Sequence, residues 1–169
     1  MKKNLLKFLG LGMLFVVFSA CPQDACKDVN CGDNGVCVEG ICLCDDGYEQ
    51  DATGACTVES RTKFLGTWSV AESCSNSGDE TYVAVNTNGT EITEVSIANF
   101  YGLFTSPVIA TVDGNNITIT RDNPLGDDTF VEGSGTFDTA TGKVTLNYTV
   151  SDESVSPAVT NTCTSVWSK

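Results

Sequence analysis

The sequence lacks histidine altogether, and it carries only 9 basic residues against 22 acidic ones. Without histidine, the commonest general base and the histidine-dependent nucleophile systems are excluded, so we expect no enzymatic activity. The net charge of −13 argues against a nucleic-acid partner, because phosphates require a basic surface. A long apolar run is also missing. The hydrophobic stretch extends only over positions 8–18, and about 20 residues are needed to span a bilayer as a helix.

The amino terminus has the layout of a signal peptide. Three lysines precede the apolar stretch, and small residues follow it. The segment Phe18-Ser19-Ala20-Cys21 resembles the lipobox of bacterial lipoproteins, with Phe18 where Leu is usual. The resemblance implies a lipoprotein signal peptide over residues 1–20, a lipid with fatty acids such as palmitate on Cys21, and an anchor and linker over residues 21–25. Several acyl chains hold a protein stably at a membrane.

The resemblance also implies a location in the bacterial cell envelope, at the outer membrane, on either its periplasmic face or the cell surface. The competing interpretation is ordinary secretion, with Cys21 as a free or paired thiol. Nine cysteines in so short a chain indicate an oxidising compartment. Setting Cys21 aside leaves 9 − 1 = 8 cysteines, an even number that can pair completely, which favours the lipid anchor.

Residues 26–58 hold six of the cysteines and few apolar side chains. A segment of this size buries too little apolar surface to fold alone, so disulfides must replace a core. The stretch CLCDDGY from Cys42 to Tyr48, followed by seven residues and Cys56, resembles the signature of EGF-like domains. The resemblance implies a small hairpin fold with the pairs Cys26–Cys37, Cys31–Cys42 and Cys44–Cys56. Its position next to the anchor favours a spacer role.

Some EGF-like domains bind calcium, and this module is acidic. Calcium requires roughly six to eight converging oxygen ligands, so a large number of carboxylates does not by itself make a site. The residues before Cys26 and the short stretch 38–41 do not carry the ligand pattern of the calcium-binding members. We therefore favour a solvated acidic face and expect neither a metal nor another cofactor.

Residues 60–169 are rich in Thr, Ser, Val and Asn, and they alternate between apolar and polar residues, as half-buried strands do. Such short strands indicate a sandwich or an up-and-down barrel. Cys74 follows the first strand and Cys163 lies in the last, so a Cys74–Cys163 disulfide requires a closed sheet. The predicted fold is mainly β, with an EGF-like module and an eight-stranded antiparallel up-and-down β-barrel. The predicted strands are 64–71, 80–86, 90–98, 107–113, 116–121, 129–137, 143–151 and 159–168.

The segment 64–68 (FLGTW) is similar to the G-x-W opening of lipocalins and of lipocalin-like, calycin-type barrels in envelope lipoproteins. In that fold the Trp plugs the closed end of the barrel. Lipocalins also carry an Arg near the last strand, where this chain has Trp167 and Lys169. A filled interior is favoured over an open cavity, because protein interiors are close-packed.

Three functions remain open. The favoured hypothesis is a non-catalytic, membrane-anchored lipoprotein that presents its barrel to a protein or glycan partner, and an exposed aromatic patch at residues 100–104 would support it. The second is a carrier of a small apolar ligand, with Trp68, Tyr82 and Tyr148 as candidate contacts. The third is an envelope hydrolase that uses the loop carboxylates Asp127 and Asp128, which are more typical of a solvated turn.

Overall fold

The computed structural model describes residues 25–169. Cys21 and the signal segment lie outside the described residues, so their lipidation and cleavage stay predictions. The described part is mainly β-structure, with two short 3-10 turns, Ser60–Phe64 and Phe100–Gly102. Its strands are, in chain order, β1 Gly35–Val38, β2 Ile41–Cys44, β3 Tyr48–Gln50, β4 Cys56–Glu59, β5 Gly66–Cys74, β6 Gly78–Asn88, β7 Glu94–Ala98, β8 Val108–Asp113, β9 Asn116–Asp122, β10 Thr129–Asp138, β11 Lys143–Asp152 and β12 Val159–Ser168.

The amino-terminal module, residues 25–59, consists of two small antiparallel hairpins, β1–β2 and β3–β4. Its buried cluster is formed by the half-cystines Cys31, Cys42 and Cys56, so sulfur takes the place of an apolar core. The disulfides of the module join Cys26 to Cys37, Cys31 to Cys42, and Cys44 to Cys56. These are the same pairs that the EGF-like resemblance implies.

The remaining eight strands form a closed antiparallel barrel, which confirms the predicted fold class. Each strand pairs with the next along the chain, and β12 pairs with β5 to complete the circle. The first predicted strand begins too early, because residues 60–64 form a 3-10 turn instead. The third predicted strand also begins too early, at residue 90 instead of Glu94. The Glu94 carboxylate accepts the backbone N–H groups of Thr90 and Glu91 and holds that segment in a turn.

A disulfide closes the seam of the barrel. Cys74 and Cys163 lie directly opposite each other on β5 and β12, with their Cα atoms 4.1 Å apart. The bond links residues that are 89 positions apart in the sequence, so it closes a loop that contains nearly the whole barrel. It therefore restricts the unfolded chain strongly.

The interior of the barrel is packed with side chains. Trp68 and Trp167 meet edge to face, with ring centroids 6.4 Å apart. Phe100 follows, 6.3 Å from Trp167 and 4.8 Å from the ring of Tyr148. These four aromatic residues form a continuous column of rings along the barrel, and aliphatic side chains from strands β5 to β11 surround it. Close packing of this kind leaves the apolar centre occupied by the protein itself.

The two ends of the barrel differ. The module packs against the end formed by residues 60–65, 89–93 and 114–115, which we call the module end. There the Ser60 N–H donates to the Gly47 carbonyl at 2.8 Å, and the Lys63 ammonium contacts Glu49 at 2.6 Å and Asn115 at 2.7 Å. The opposite end, which we call the loop end, carries the connections 75–77, 99–107, 123–128 and 153–158, and the last three are longer than any strand-to-strand connection at the module end.

The aromatic segment at the loop end does not form the exposed patch considered from the sequence. Phe100 is fully buried and Phe104 is 4% exposed, because the 3-10 turn at residues 100–102 folds both rings into the barrel. Phe100 packs on Tyr148, and Phe104 packs on Phe100. Leu103 is the exception, at 72% exposure. The segment therefore serves mainly to cover this end of the core.

Replacement of the seam disulfide tests its contribution to stability. We expect the Cys74→Ser/Cys163→Ser double variant to lose up to about 4–5 kcal/mol of free energy of unfolding, because the loop that the bond closes is so long. Urea unfolding followed by tryptophan fluorescence measures the loss. The control is Thr162→Ser, which changes a neighbouring exposed side chain. A double variant as stable as that control would show that the bond does not stabilise the seam.

Gly47 allows the close approach between module and barrel. Its φ of +85° is unfavourable for other residues, and a Cβ there would lie 3.0 Å from Ile92. Gly54 has a similar φ of +87° with nothing within 4 Å, so Gly54→Ala carries the backbone strain without the clash. We expect Gly47→Ala, but not Gly54→Ala, to loosen the module, so that ¹⁵N relaxation reports separate tumbling of module and barrel. Equal tumbling in both variants would contradict this.

Candidate functional site

A buried carboxylate lies inside the barrel near its loop end. On β5 the residues Trp68, Val70, Glu72 and Cys74 alternate with outward-facing ones and point to the interior. Glu72 thus occupies a position where the pattern predicts an apolar residue, and it is only 5% exposed. A buried charge is costly unless it is hydrogen-bonded, so its partners decide how this position is tolerated.

Two tyrosines satisfy one oxygen of this carboxylate. The Tyr82 hydroxyl donates to Glu72 Oε2 at 3.1 Å, and the Tyr148 hydroxyl donates to the same oxygen. Tyr148 can lie here because its cross-strand partner is Gly133, where a Cβ would come within 2.4 Å of the Tyr148 Cβ. The phenol groups thus replace the water that Glu72 would bind outside the protein.

The hydrogen bonds continue to the rim of the barrel. The Tyr101 backbone N–H donates to the Tyr82 hydroxyl at 3.1 Å, which ties the 3-10 turn to β6. The Asn161 amide, on β12, donates to the Tyr101 hydroxyl at 2.7 Å and to Ser77 Oγ at 2.9 Å. One polar network, which we call the Glu72 network, therefore joins six elements: β5, the connection 75–77, β6, the 3-10 turn at 100–102, β11 and β12.

Burial decides the protonation of this network. Burial raises the pKa of the Glu72 carboxyl, against the opposing effect of the hydrogen bonds from Tyr148 and Tyr82, and the charge of nearby Glu80 adds to the rise. Burial is also the main cause of a raised pKa at Tyr82 and Tyr148. Both hydroxyls consequently stay protonated and act as donors, and Glu72 is the acceptor.

The three ligand candidates named from the sequence are not brought together. Tyr82 and Tyr148 share the Glu72 carboxylate, whereas Trp68 lies towards the module end. There its indole N–H donates to the Phe64 carbonyl at 2.7 Å, and the Lys169 ammonium lies 4.4 Å from the ring centroid. Trp68 is fully buried, so its role in the structure is to fill the core.

Sequence reasoning missed Glu72 as a member of the site. The signal was present, because Trp68 and Val70 lie on the inward-facing side of the first strand. Glu72 is two residues beyond Val70 and therefore lies on the same side. Tyr101 and Asn161 carried no comparable signal. Tyr101 reaches the network through a left-handed backbone conformation, with φ of +59°, that alternation does not predict. Asn161 reaches it only because β12 closes against β5.

The loop carboxylates do not form an acid–base pair in the structure. Asp127 is exposed, and its side chain accepts the backbone N–H of Thr129 at 2.8 Å. Asp128 is exposed as well, and its carbonyl accepts the N–H of Glu153. These contacts give both residues a role in shaping the 123–128 connection.

One acidic side chain of the module, Asp51, stabilises a turn. Asp51 accepts hydrogen bonds from Thr53, Ala55 and Thr57, and those from the Thr53 and Thr57 side chains are the largest causes that lower the pKa of its carboxyl. Over residues 25–169, no group of three or more His, Cys, Asp or Glu side chains is placed to share a metal ion. The same range contains no helix with the length and apolarity to cross a membrane.

Comparison of the sequence with family models and with curated proteins finds no match. The barrel presents one buried carboxylate, held by two phenols, beneath the rim of its loop end.

Glu72→Gln tests the assignment of the buried charge. A raised folded-state pKa means that Glu72 adds stability below its unfolded pKa, and that this stability is lost as the pH rises through its folded pKa. Gln does not titrate. We therefore expect the free energy of unfolding of the variant, minus that of the wild type, to increase as the pH rises from about 4 through the raised folded-state pKa of Glu72.

Asp79→Asn is the matched control, because Asp79 is exposed on the outer face of the same region. Chemical denaturation at a series of pH values supplies the comparison. Parallel pH profiles for Glu72→Gln and the wild type would contradict the raised pKa.

Proposed function

We propose that the chain is a non-catalytic lipoprotein of the bacterial cell envelope, anchored through lipid on Cys21. In this proposal the amino-terminal module is an EGF-like spacer. It holds a lipocalin-like barrel so that the loop end can bind a protein or glycan partner. The observation that carries the proposal is the docking of the module at the end opposite to the loop end. An anchor that precedes the module would then hold the loop end away from the membrane.

The disulfide pattern and the barrel plug support the two domain assignments. The module has the three disulfide pairs that the EGF-like resemblance implies, and its strands form two hairpins. In the barrel, Trp68 packs near the module end, and Lys169 places its ammonium over the indole ring. The lysine thus supplies a cation near the position where lipocalins carry an Arg.

The loop end offers contact area for a partner. Three of its connections each expose a large apolar side chain, namely Leu103, Leu125 and Val155, at 72%, 40% and 47% exposure. Apolar side chains that project from adjacent loops contribute to protein recognition surfaces. They lie on a rigid barrel, so little order has to be gained when a partner binds.

The two alternative functions receive less support. A carrier of an apolar ligand needs space inside the barrel, and the column of aromatic rings from Trp68 to Tyr148 fills that space. A hydrolase with two carboxylates needs a pair that flanks a cleft, and Asp127 and Asp128 are bound within their own loop. We therefore propose neither.

The anchor is tested by expression of the full chain in a bacterium. We expect the wild-type protein to fractionate with membranes and to carry a mass increment on Cys21 after cleavage of residues 1–20. Cys21→Ser removes the acceptor thiol, so this variant should stay uncleaved at that position or be released. Ser19→Ala is the control, because it keeps a small residue and the thiol. An unmodified Cys21 at the mature amino terminus, determined by mass spectrometry, would overturn the proposal.

A further inference from the structure

A cleft of about 270 Å³ opens at the loop end, above the Glu72 network. Its walls come from β5, β6 and the 3-10 turn at residues 100–102. Tyr82 and Tyr101 contribute aromatic surface, and Glu72 and Glu80 contribute carboxylates. This cleft is distinct from the apolar barrel interior, because the rings of Phe100 and Tyr148 lie within the packed core.

The Glu72 carboxylate reaches the cleft with one oxygen free. Both tyrosine hydroxyls donate to Oε2, and no described residue donates a hydrogen bond to Oε1. Among fully enclosed polar side-chain atoms of the described residues, only Asn86 Oδ1 lacks a partner, so Glu72 Oε1 is not fully enclosed. Glu72 is only 5% exposed and lines the cleft, so this residue brings an acceptor oxygen without a hydrogen-bond partner to the cleft wall.

A second carboxylate faces the same space. Glu80 lies directly opposite Glu72 in the β5–β6 pair, so both side chains are on the inner face of the sheet. Like charges in this arrangement destabilise a sheet. Within residues 25–169 the ion pairs are Arg61–Glu59, Lys63–Glu49 and Arg121–Glu153, and none involves either residue. The cleft therefore holds negative charge that no cation of the described chain balances.

We propose that this cleft binds a protonated organic amine, which donates hydrogen bonds to Glu72 and Glu80 and packs its apolar part on Tyr82 and Tyr101. Carboxylates satisfy the charge and the N–H donors, while aromatic faces attract the cation and cover its carbon atoms. The volume suits a small amine, since pockets for drug-sized ligands begin at about 300 Å³.

An inorganic divalent ion fits less well. Calcium takes roughly six to eight oxygen ligands, and no cluster of three or more metal-binding side chains occurs in the part of the chain that the structure describes. The amine can be a free metabolite or a lysine side chain of a protein partner, because both present the same ammonium group. Amine binding at this cleft does not require the lipid anchor. The anchor proposal and the amine-site proposal can therefore fail independently of each other.

Two-dimensional NMR titration of the mature protein tests the site with two probes, 2-phenylethylammonium and Nα-acetyl-lysine methylamide. We expect saturable shifts at residues of β5, β6 and the 100–102 turn. The tighter of the two probes indicates whether the natural ligand is a small amine or a lysine. Neutral 2-phenylethanol has a similar shape without the charge, and we expect it to bind about tenfold more weakly or not at all.

Variants separate a specific site from general attraction by an acidic protein. Glu80→Gln changes an exposed side chain, so it should leave the fold intact and weaken amine binding severalfold, and Glu72→Gln should weaken it by about tenfold or more. Asp79→Asn removes the same charge from the outer face of β6 and should change affinity less than about twofold. The proposal is wrong if neither amine gives saturable shifts, if the neutral alcohol binds as tightly, or if Asp79→Asn weakens binding as much as Glu80→Gln.

Discussion

The pairing of β12 with β5 is the constraint on which the rest of the structure depends. It converts a sheet with two open edges into a closed barrel, so that every strand has two hydrogen-bonded neighbours. The same pairing sets Cys74 opposite Cys163, which allows a covalent bond across the seam. It also brings Asn161 to the rim beside Tyr101, so the polar network at the loop end exists only because the sheet closes.

Closure also explains how the barrel combines an apolar centre with a buried acid. The column of rings from Trp68 to Tyr148 fills the axis, and the fit leaves little freedom for an apolar guest. At the end of that column the ring of Tyr148 is apolar while its hydroxyl is polar, so this one residue joins the core to Glu72. Tyr148 therefore belongs both to the apolar core, through its ring, and to the Glu72 network, through its hydroxyl.

The module and the barrel are stabilised in different ways. The module is too small for a core and relies on three disulfides around a cluster of half-cystines. The barrel buries a large apolar cluster and uses one disulfide at its seam. They meet at the module end through a backbone hydrogen bond at Gly47 and the Lys63 contacts, so one end of the barrel is covered and the other stays open to solution.

Local pattern determined most of the fold. Alternation located the eight barrel strands to within a few residues, because a strand with one buried face must alternate. The positions of Cys74 and Cys163 at the first and last strands indicated the seam. The later starts of β5 and β7 and the burial of Phe100 were decided by turns, which leave no periodic pattern in the sequence. A hydrogen bond to the Glu94 side chain holds the turn before β7, and the left-handed residues Asn99 and Tyr101 shape the turn at Phe100. The Glu72 network was likewise decided by tertiary structure. Its members lie on separate segments, and only the closed sheet sets the distances between them. The sequence alone specifies which side chains of each strand face inward.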